Sequence, residues 1–295
     1  MSFPEGAKVK VHATLSRDLR DAAERLPSYD NREFYSTAVQ ASVLEGVRAA
    51  APEEFDSLIK QIKERLAQPP YCVLVQGLAF DEGNKVFVAV NRAFGELVAR
   101  PYEKPRAQLV HYVQPSTDIT SARGGHESER LHTDTADWEP PVELISMVCM
   151  RSDPDGGGRS RILDVDTIRK EVNERLGSAT LDRLESEPLP WQLASYWGGG
   201  VSWRTVLTKS SVCWRRYTID LALDSTGGAL SNEMQQSLEG FENVISNTPH
   251  TLDFLMDDGE LLFSDNRRTI HARTPITAGT ASNRLMIRSW IRTTE

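Results

Sequence analysis

The chain has 295 residues, 39% hydrophobic and 26% charged, which suits one large globular domain with a real core and excludes a disordered chain. Its formal net charge is -8 and no long basic run is present, which argues against a nucleic-acid partner. No apolar run reaches the roughly 18–20 residues needed to span a bilayer, and the opening MSFPEGAKVKVHATL lacks a signal-peptide core, so a cytoplasmic protein with no membrane partner is expected.

In chain order, residues 33–50 and 53–67 read as helices separated at Ala51-Pro52. Phe55, Leu58, Ile59, Ile62 and Leu66 recur at helical spacing in the second. Gln68-Pro69-Pro70 stops it, and residues 71–77 form a compact β-type run. Residues 84–98 read as helix again, and 109–113 as a short strand after a proline-bounded break. From Leu131 onward, short β-rich runs alternate with Gly, Pro and Asp turns. Strands are predicted at 144–150, 161–165, 215–219, 261–263, 269–273 and 285–291, with helical inserts at 166–187 and 232–247. Cys72, Cys149 and Cys213 form no C-x-x-C pair and read as buried thiols in a reducing compartment.

This pattern predicts an α+β protein with a β-dominated core, a jelly-roll-like double sheet with flanking and inserted helices. No repeat or linker divides it, so 1–295 reads as one domain. Residues 1–105 would be a helical support region with at least one strand, and 106–295 the jelly-roll core.

Two strings carry chemistry. One is Leu131-His132-Thr133-Asp134, in which residues i and i+2 face the same way on a strand. The other runs from Asp265-Asn266 to His271-Ala272-Arg273 and on to Arg284 and Arg288. Two imidazoles and one carboxylate on one face of a metal leave open positions, the ligand set of non-heme Fe(II) oxygenases. His132 with Asp134 alone is an ordinary tripeptide; the long-range joint pattern is what points to a site.

As a set, the residue 70–77 strand, residues 131–134, the Arg151–Gly158 turn, residues 265–275 and the Arg284/Arg288 pair resemble the Fe(II)/2-oxoglutarate-dependent oxygenases of the taurine dioxygenase and clavaminate synthase-like group. The resemblance spans roughly residues 71–292. It implies a double-stranded β-helix with iron held by His132, Asp134 and His271, and 2-oxoglutarate and dioxygen as co-substrates. It also implies that Arg284 clamps the distal carboxylate of 2-oxoglutarate, since a bidentate guanidinium suits a carboxylate in a dry pocket. Ser160, after Gly156-Gly157-Gly158-Arg159, stands where a hydroxyl would assist. Arg288 would lie further along the same face, near the chelating end or the substrate. Whether Arg159 or Arg273 reaches the site stays open.

Asp134 in place of Gly or Ala favours hydroxylation over halogenation, with 2-oxoglutarate converted to succinate and CO2. Desaturation, cyclisation and epimerisation remain open with the same cofactors. The substrate is expected to be a small amino acid or amino-acid-derived metabolite. Its candidate contacts are Gln114, His126, Glu127, Ser128, Asp220 and Arg288, with Trp197, Trp203 and Trp214 read as core or hairpin aromatics. Two other classes compete: a non-catalytic jelly-roll binding module, and a cupin-type metalloenzyme that needs no 2-oxoglutarate. Arg284 argues against both.

Overall fold

The computed structural model describes residues 3–30, 32–99, 109–113, 129–276 and 284–294. Near the N-terminus, β1 (Lys8–Lys10) precedes helices α1 (Ala13–Arg25), α2 (Thr37–Arg48) and α3 (Pro52–Leu66). Helix α3 starts on a proline, carries Glu53 and Glu54 in its first turn and Lys63 and Arg65 in its last, which matches the helix dipole at both ends. It buries the five apolar residues whose spacing predicted it. Strand β2 (Cys72–Gln76) follows, then α4 (Lys85–Arg92), β3 (Gly95–Val98) and β4 (His111–Val113).

The later elements are β5 (Leu144–Arg151), β6 (Ser160–Asp164), α5 (Val165–Leu176), α6 (Ser178–Ser186), β7 (Leu189–Gln192) and β8 (Val201–Arg204). They end with α7 (Arg216–Thr226), α8 (Asn232–Asn247), β9 (Leu252–Phe254), β10 (Leu261–Asp265), β11 (Thr269–Arg273) and β12 (Leu285–Thr293). The large sheet has the order β1-β2-β10-β5-β12-β3, with β4 also paired to β12. A smaller sheet has the order β11-β6-β9, and β7 and β8 form a hairpin.

Strand alternation explains how the layers stack. On the large sheet, Val73, Val75, Leu144, Val148, Leu261, Phe263, Ile287 and Ile291 face one way and pack with α1 to α4. Cys72, Leu74, Cys149, Leu262 and Met286 face the other way and meet Ile162 and Phe254 of the small sheet. The small sheet repeats the device: Leu163, Ile270 and Ala272 pack with α5, α8, Trp191 and Trp214. His271 and Arg273, one residue out of step with those, line the space between the sheets. The site therefore lies between two layers, each backed by helices.

Two predicted elements differ. The 84–98 segment is helical only to Arg92, because Gly95 pairs with β12, where a Cβ would stand 1.9 Å from the Arg292 carbonyl oxygen. The predicted strand at 215–219 is the start of α7. Thr218, Ile219 and Ala222 are buried at helical spacing, and Gly227 ends the helix with φ of 64°. The β-branched Thr218 and Ile219 join Ala222 on the buried helical face, while Tyr217 stays exposed. No helix among the described residues is long and apolar enough to cross a membrane.

Candidate metal centre and active site

His132 and His271 face each other in an isolated antiparallel bridge. Each amide N–H donates to the other's carbonyl, at 3.0 and 2.9 Å. Directly opposed residues project to the same face, and the two ring centroids stand 4.6 Å apart. Thr133, between His132 and Asp134, turns away. Its hydroxyl oxygen accepts the Trp214 amide at 3.0 Å and its own N–H donates to the Trp214 carbonyl at 2.7 Å.

Asp134 is held by Asn266, which is 1% exposed. The Asn266 side chain accepts the Asp134 N–H at 3.0 Å and donates to the carbonyls of Asp134 and Val142 at 3.0 and 2.8 Å. The candidate ligand atoms of His132, Asp134 and His271 lie within 4.8 Å of one another. Asp134 Oδ1 is 3.5 Å from His132 Nε2 and 3.9 Å from His271 Nε2. Asp134 Oδ2 accepts from Arg288 at 3.0 Å and from the Trp290 indole at 2.8 Å.

Protonation follows from the neighbours. His132 Nδ1 lies 2.8 Å from the Arg130 carbonyl, which can only accept, so Nδ1 is the donor in that contact. Burial pushes the His271 pKa down to about 3, helped by His132 and Arg288 and opposed by Asp134. Burial alone would raise the Asp134 carboxyl, but Arg288, His132 and His271 outweigh it and hold it well below the usual range. A neutral His271 and an ionised Asp134 form the donor set that a divalent first-row metal takes. The residues present fit iron.

A cavity of about 100 Å³ extends from His132 and His271 between the sheets, with Ser160, Arg273, Arg284 and Arg288 among its walls. Arg284 is 5% exposed and donates to the Gly158 carbonyl at 3.2 Å. Among the described residues no acid stands within ion-pair distance of it, and burial lowers its pKa. A buried cation whose described hydrogen bond goes to a neutral carbonyl, with Asp153 acting on it only from beyond ion-pair distance, favours an incoming anion. Gly158 makes room for it, with φ of 64° and no Cβ against the guanidinium.

Of the open sequence readings, Arg273 both lines the cavity and pairs with Glu129 at 3.5 Å. Arg159 is spent on Asp253 and does not line the cavity. Asp220, read as following a strand, sits on α7, where it pairs with Arg216 at 2.7 Å away from the cavity walls. Trp214 is buried in the helical layer and Trp203 is exposed on the hairpin. Gln114, His126, Glu127 and Ser128 lie outside the described residues. Sequence reasoning quoted Asn266 within a motif without giving it a role, and missed Trp290. Trp290 was findable, since it continues the face of Arg284, Met286 and Arg288 two residues further on.

The sequence pattern of the Taurine catabolism dioxygenase TauD, TfdA family matches residues 32–290. The chain belongs to this dioxygenase family. No curated protein matches it. Among solved structures, asparagine oxygenase in complex with Fe(II), 2S,3S-3-hydroxyasparagine and succinate is similar to this TauD/TfdA chain with a TM-score of 0.77. The identity is 17%, covering 97% of this chain and 94% of that one. The non-heme iron oxygenase OrfP in complex with Fe and alpha-ketoglutaric acid gives a TM-score of 0.71 at 16% identity, covering 100% of this chain and 95% of that one. OrfP in complex with Fe, succinate and (3S)-hydroxy-L-Arg gives 0.71 at 15%, covering 97% and 94%. At these identities the likeness establishes a shared fold.

Proposed function

We propose that this TauD/TfdA-family protein is an Fe(II)- and 2-oxoglutarate-dependent oxygenase that hydroxylates a small amino acid or amino-acid-derived metabolite. The observation that carries the proposal is Arg284, a buried guanidinium without an acidic partner among the described residues, in the same cavity as His132 and His271. A metalloenzyme without a dicarboxylate co-substrate has no need of it. Bound iron would supply oxidation of a substrate C–H bond by dioxygen, coupled to conversion of 2-oxoglutarate to succinate and CO2.

His132, Asp134 and His271 are the iron ligands in this reading. Arg284, assisted by Ser160, binds the distal carboxylate of 2-oxoglutarate and so aims its keto-acid end at the ligands. Arg288 lines the cavity wall beside Asp134 and serves the chelating end or the substrate. The amino-acid substrate class is supported by the similar structures, which hold hydroxyasparagine and hydroxyarginine.

The same reading takes the two facing sheets as a double-stranded β-helix in a single domain over 1–295. The order β4-β12-β5-β10 in one sheet, and residue 132, β11, β6 and β9 in the other, supports it. Three free cysteines, two of them fully buried, support a cytoplasmic setting.

Two measurements test the reading. The anaerobic protein with Fe(II) and 2-oxoglutarate should develop the weak visible charge-transfer band of the chelate, and lose it in His271→Ala. A panel of amino acids should then contain one that raises succinate formation above the uncoupled background and gains one oxygen atom. A product that gains none, formed with the same succinate, would redirect the assignment to desaturation, cyclisation or epimerisation.

A further inference from the structure

Asp134 Oδ2 takes hydrogen bonds from two donors of different character. Arg288 carries five N–H groups, lines the cavity and has a side chain 22% exposed. Trp290 is 1% exposed and has a single N–H, aimed at Oδ2 from 2.8 Å. Its ring is fixed from several sides. Trp138 meets it edge-on at 5.7 Å, His111 lies 4.7 Å away, the Arg288 guanidinium covers it at 4.6 Å, and Val142 and Ile145 share its cluster. Such close packing holds the indole in place.

We infer that Trp290 is a positioning residue for the metal centre. Its N–H pins Oδ2, so that Asp134 offers the metal Oδ1 alone. A carboxylate with both oxygens free can bind a cation through both, and would then occupy a position that the co-substrates need. The inference rests on the proposed chemistry, in which the keto acid takes two open positions and dioxygen a third. It also divides the labour between the two donors. Arg288, at the cavity wall, can leave Oδ2 for an incoming carboxylate while Trp290 keeps the carboxylate oriented.

The test uses Co(II) alone, without 2-oxoglutarate, substrate or turnover. Trp290→Phe keeps most of the ring and removes the N–H. It should weaken Co(II) binding about 10- to 100-fold by calorimetry, the range typical of lost outer partners of metal ligands, and change the Co(II) visible spectrum as the coordination changes. Trp138→Phe removes the stacking partner and spares the hydrogen bond; it should bind Co(II) as the wild type does. Wild-type affinity and spectrum in Trp290→Phe would overturn the inference. Equal losses in both variants would also overturn it, by assigning the effect to packing.

If Trp290→Phe does not fold, the indole N–H resonances of the wild type decide. One of the six tryptophans should resist solvent exchange and shift when Zn(II) binds; six unmoved signals would overturn the role. A wild type that binds no Co(II) at all would overturn the metal reading itself, and this inference with it.

Discussion

A Cβ on Gly158 would stand 2.6 Å from Arg284 Nε, so the guanidinium occupies space that any side chain at 158 would claim. Gly158→Ala adds that clash to a left-handed backbone, φ of 64°, which costs an L-residue about 1–2 kcal/mol. The guanidinium must shift, and with it the carboxylate clamp. The KM for 2-oxoglutarate should rise at least about tenfold, a loss of about 1.4 kcal/mol, while Co(II) affinity stays at the wild-type value. An unchanged KM would refute the pairing of Gly158 with the clamp.

Arg284→Met should separate stability from binding. Charge-assisted hydrogen bonds contribute about 1.5–3 kcal/mol, so 2-oxoglutarate binding should weaken roughly 10- to 150-fold by calorimetry. The free protein, relieved of a buried cation that lacks an acidic partner among the described residues, should be no less stable and up to about 1 kcal/mol more so. A fall in Tm together with unchanged binding would contradict both halves.

Asn266→Ala removes three hydrogen bonds from buried backbone groups of Asp134 and Val142. Leaving such groups unsatisfied costs about 1–3 kcal/mol each, so urea unfolding should show a loss of at least about 3 kcal/mol. Metal affinity should fall as well, because the backbone that carries Asp134 is no longer fixed. Normal Co(II) binding in a destabilised Asn266→Ala would limit Asn266 to a folding role.

The thiols give a prediction that depends on pH. Burial raises the pKa of Cys72, pushes Cys149 up to about 12 and Cys213 up to about 11. The reactive species is the thiolate, so a raised pKa keeps each group protonated and inert well above neutrality. At pH 8 a thiol reagent should label the folded protein slowly, at less than one equivalent, and all three cysteines should react once the chain is unfolded. Rapid labelling of the native protein would show that these side chains open to solvent.

The candidate metal ligands were legible as a joint pattern, since a short local pair and a distant histidine supply one ligand set. An i, i+2 pair read as strand alternation and a later strand histidine suggested convergence, although the structure places His132 in an isolated bridge and Asp134 in the turn that follows it. Arg284 and Ser160 came in as candidates through the family resemblance, not through strand and turn logic. Asn266 and Trp290 act at long range on Asp134, and neither residue type signals a site by itself. Residues 215–219 misled because Tyr217, Thr218 and Ile219 suit a strand locally, while the burial of Ile219 with Ala222 selects a helix. Residues 84–98 misled for the opposite reason: Gly95 permits a backbone approach to β12 that no local pattern encodes.

The bridge between His132 and His271 is a single pair of backbone hydrogen bonds at the rim of the small sheet. An ion bound there would tie residues 132–134 to β11 across a long stretch of chain, and so act as a rivet as well as a reaction centre. Ligand binding to the folded state alone adds RT ln(1 + [L]/Kd) to stability, about 2.7 kcal/mol at a hundredfold excess over Kd. Chelation should therefore make this rim the first part of the β framework to yield to a protease. Iron supply would then govern how long the protein survives, apart from how fast it turns over.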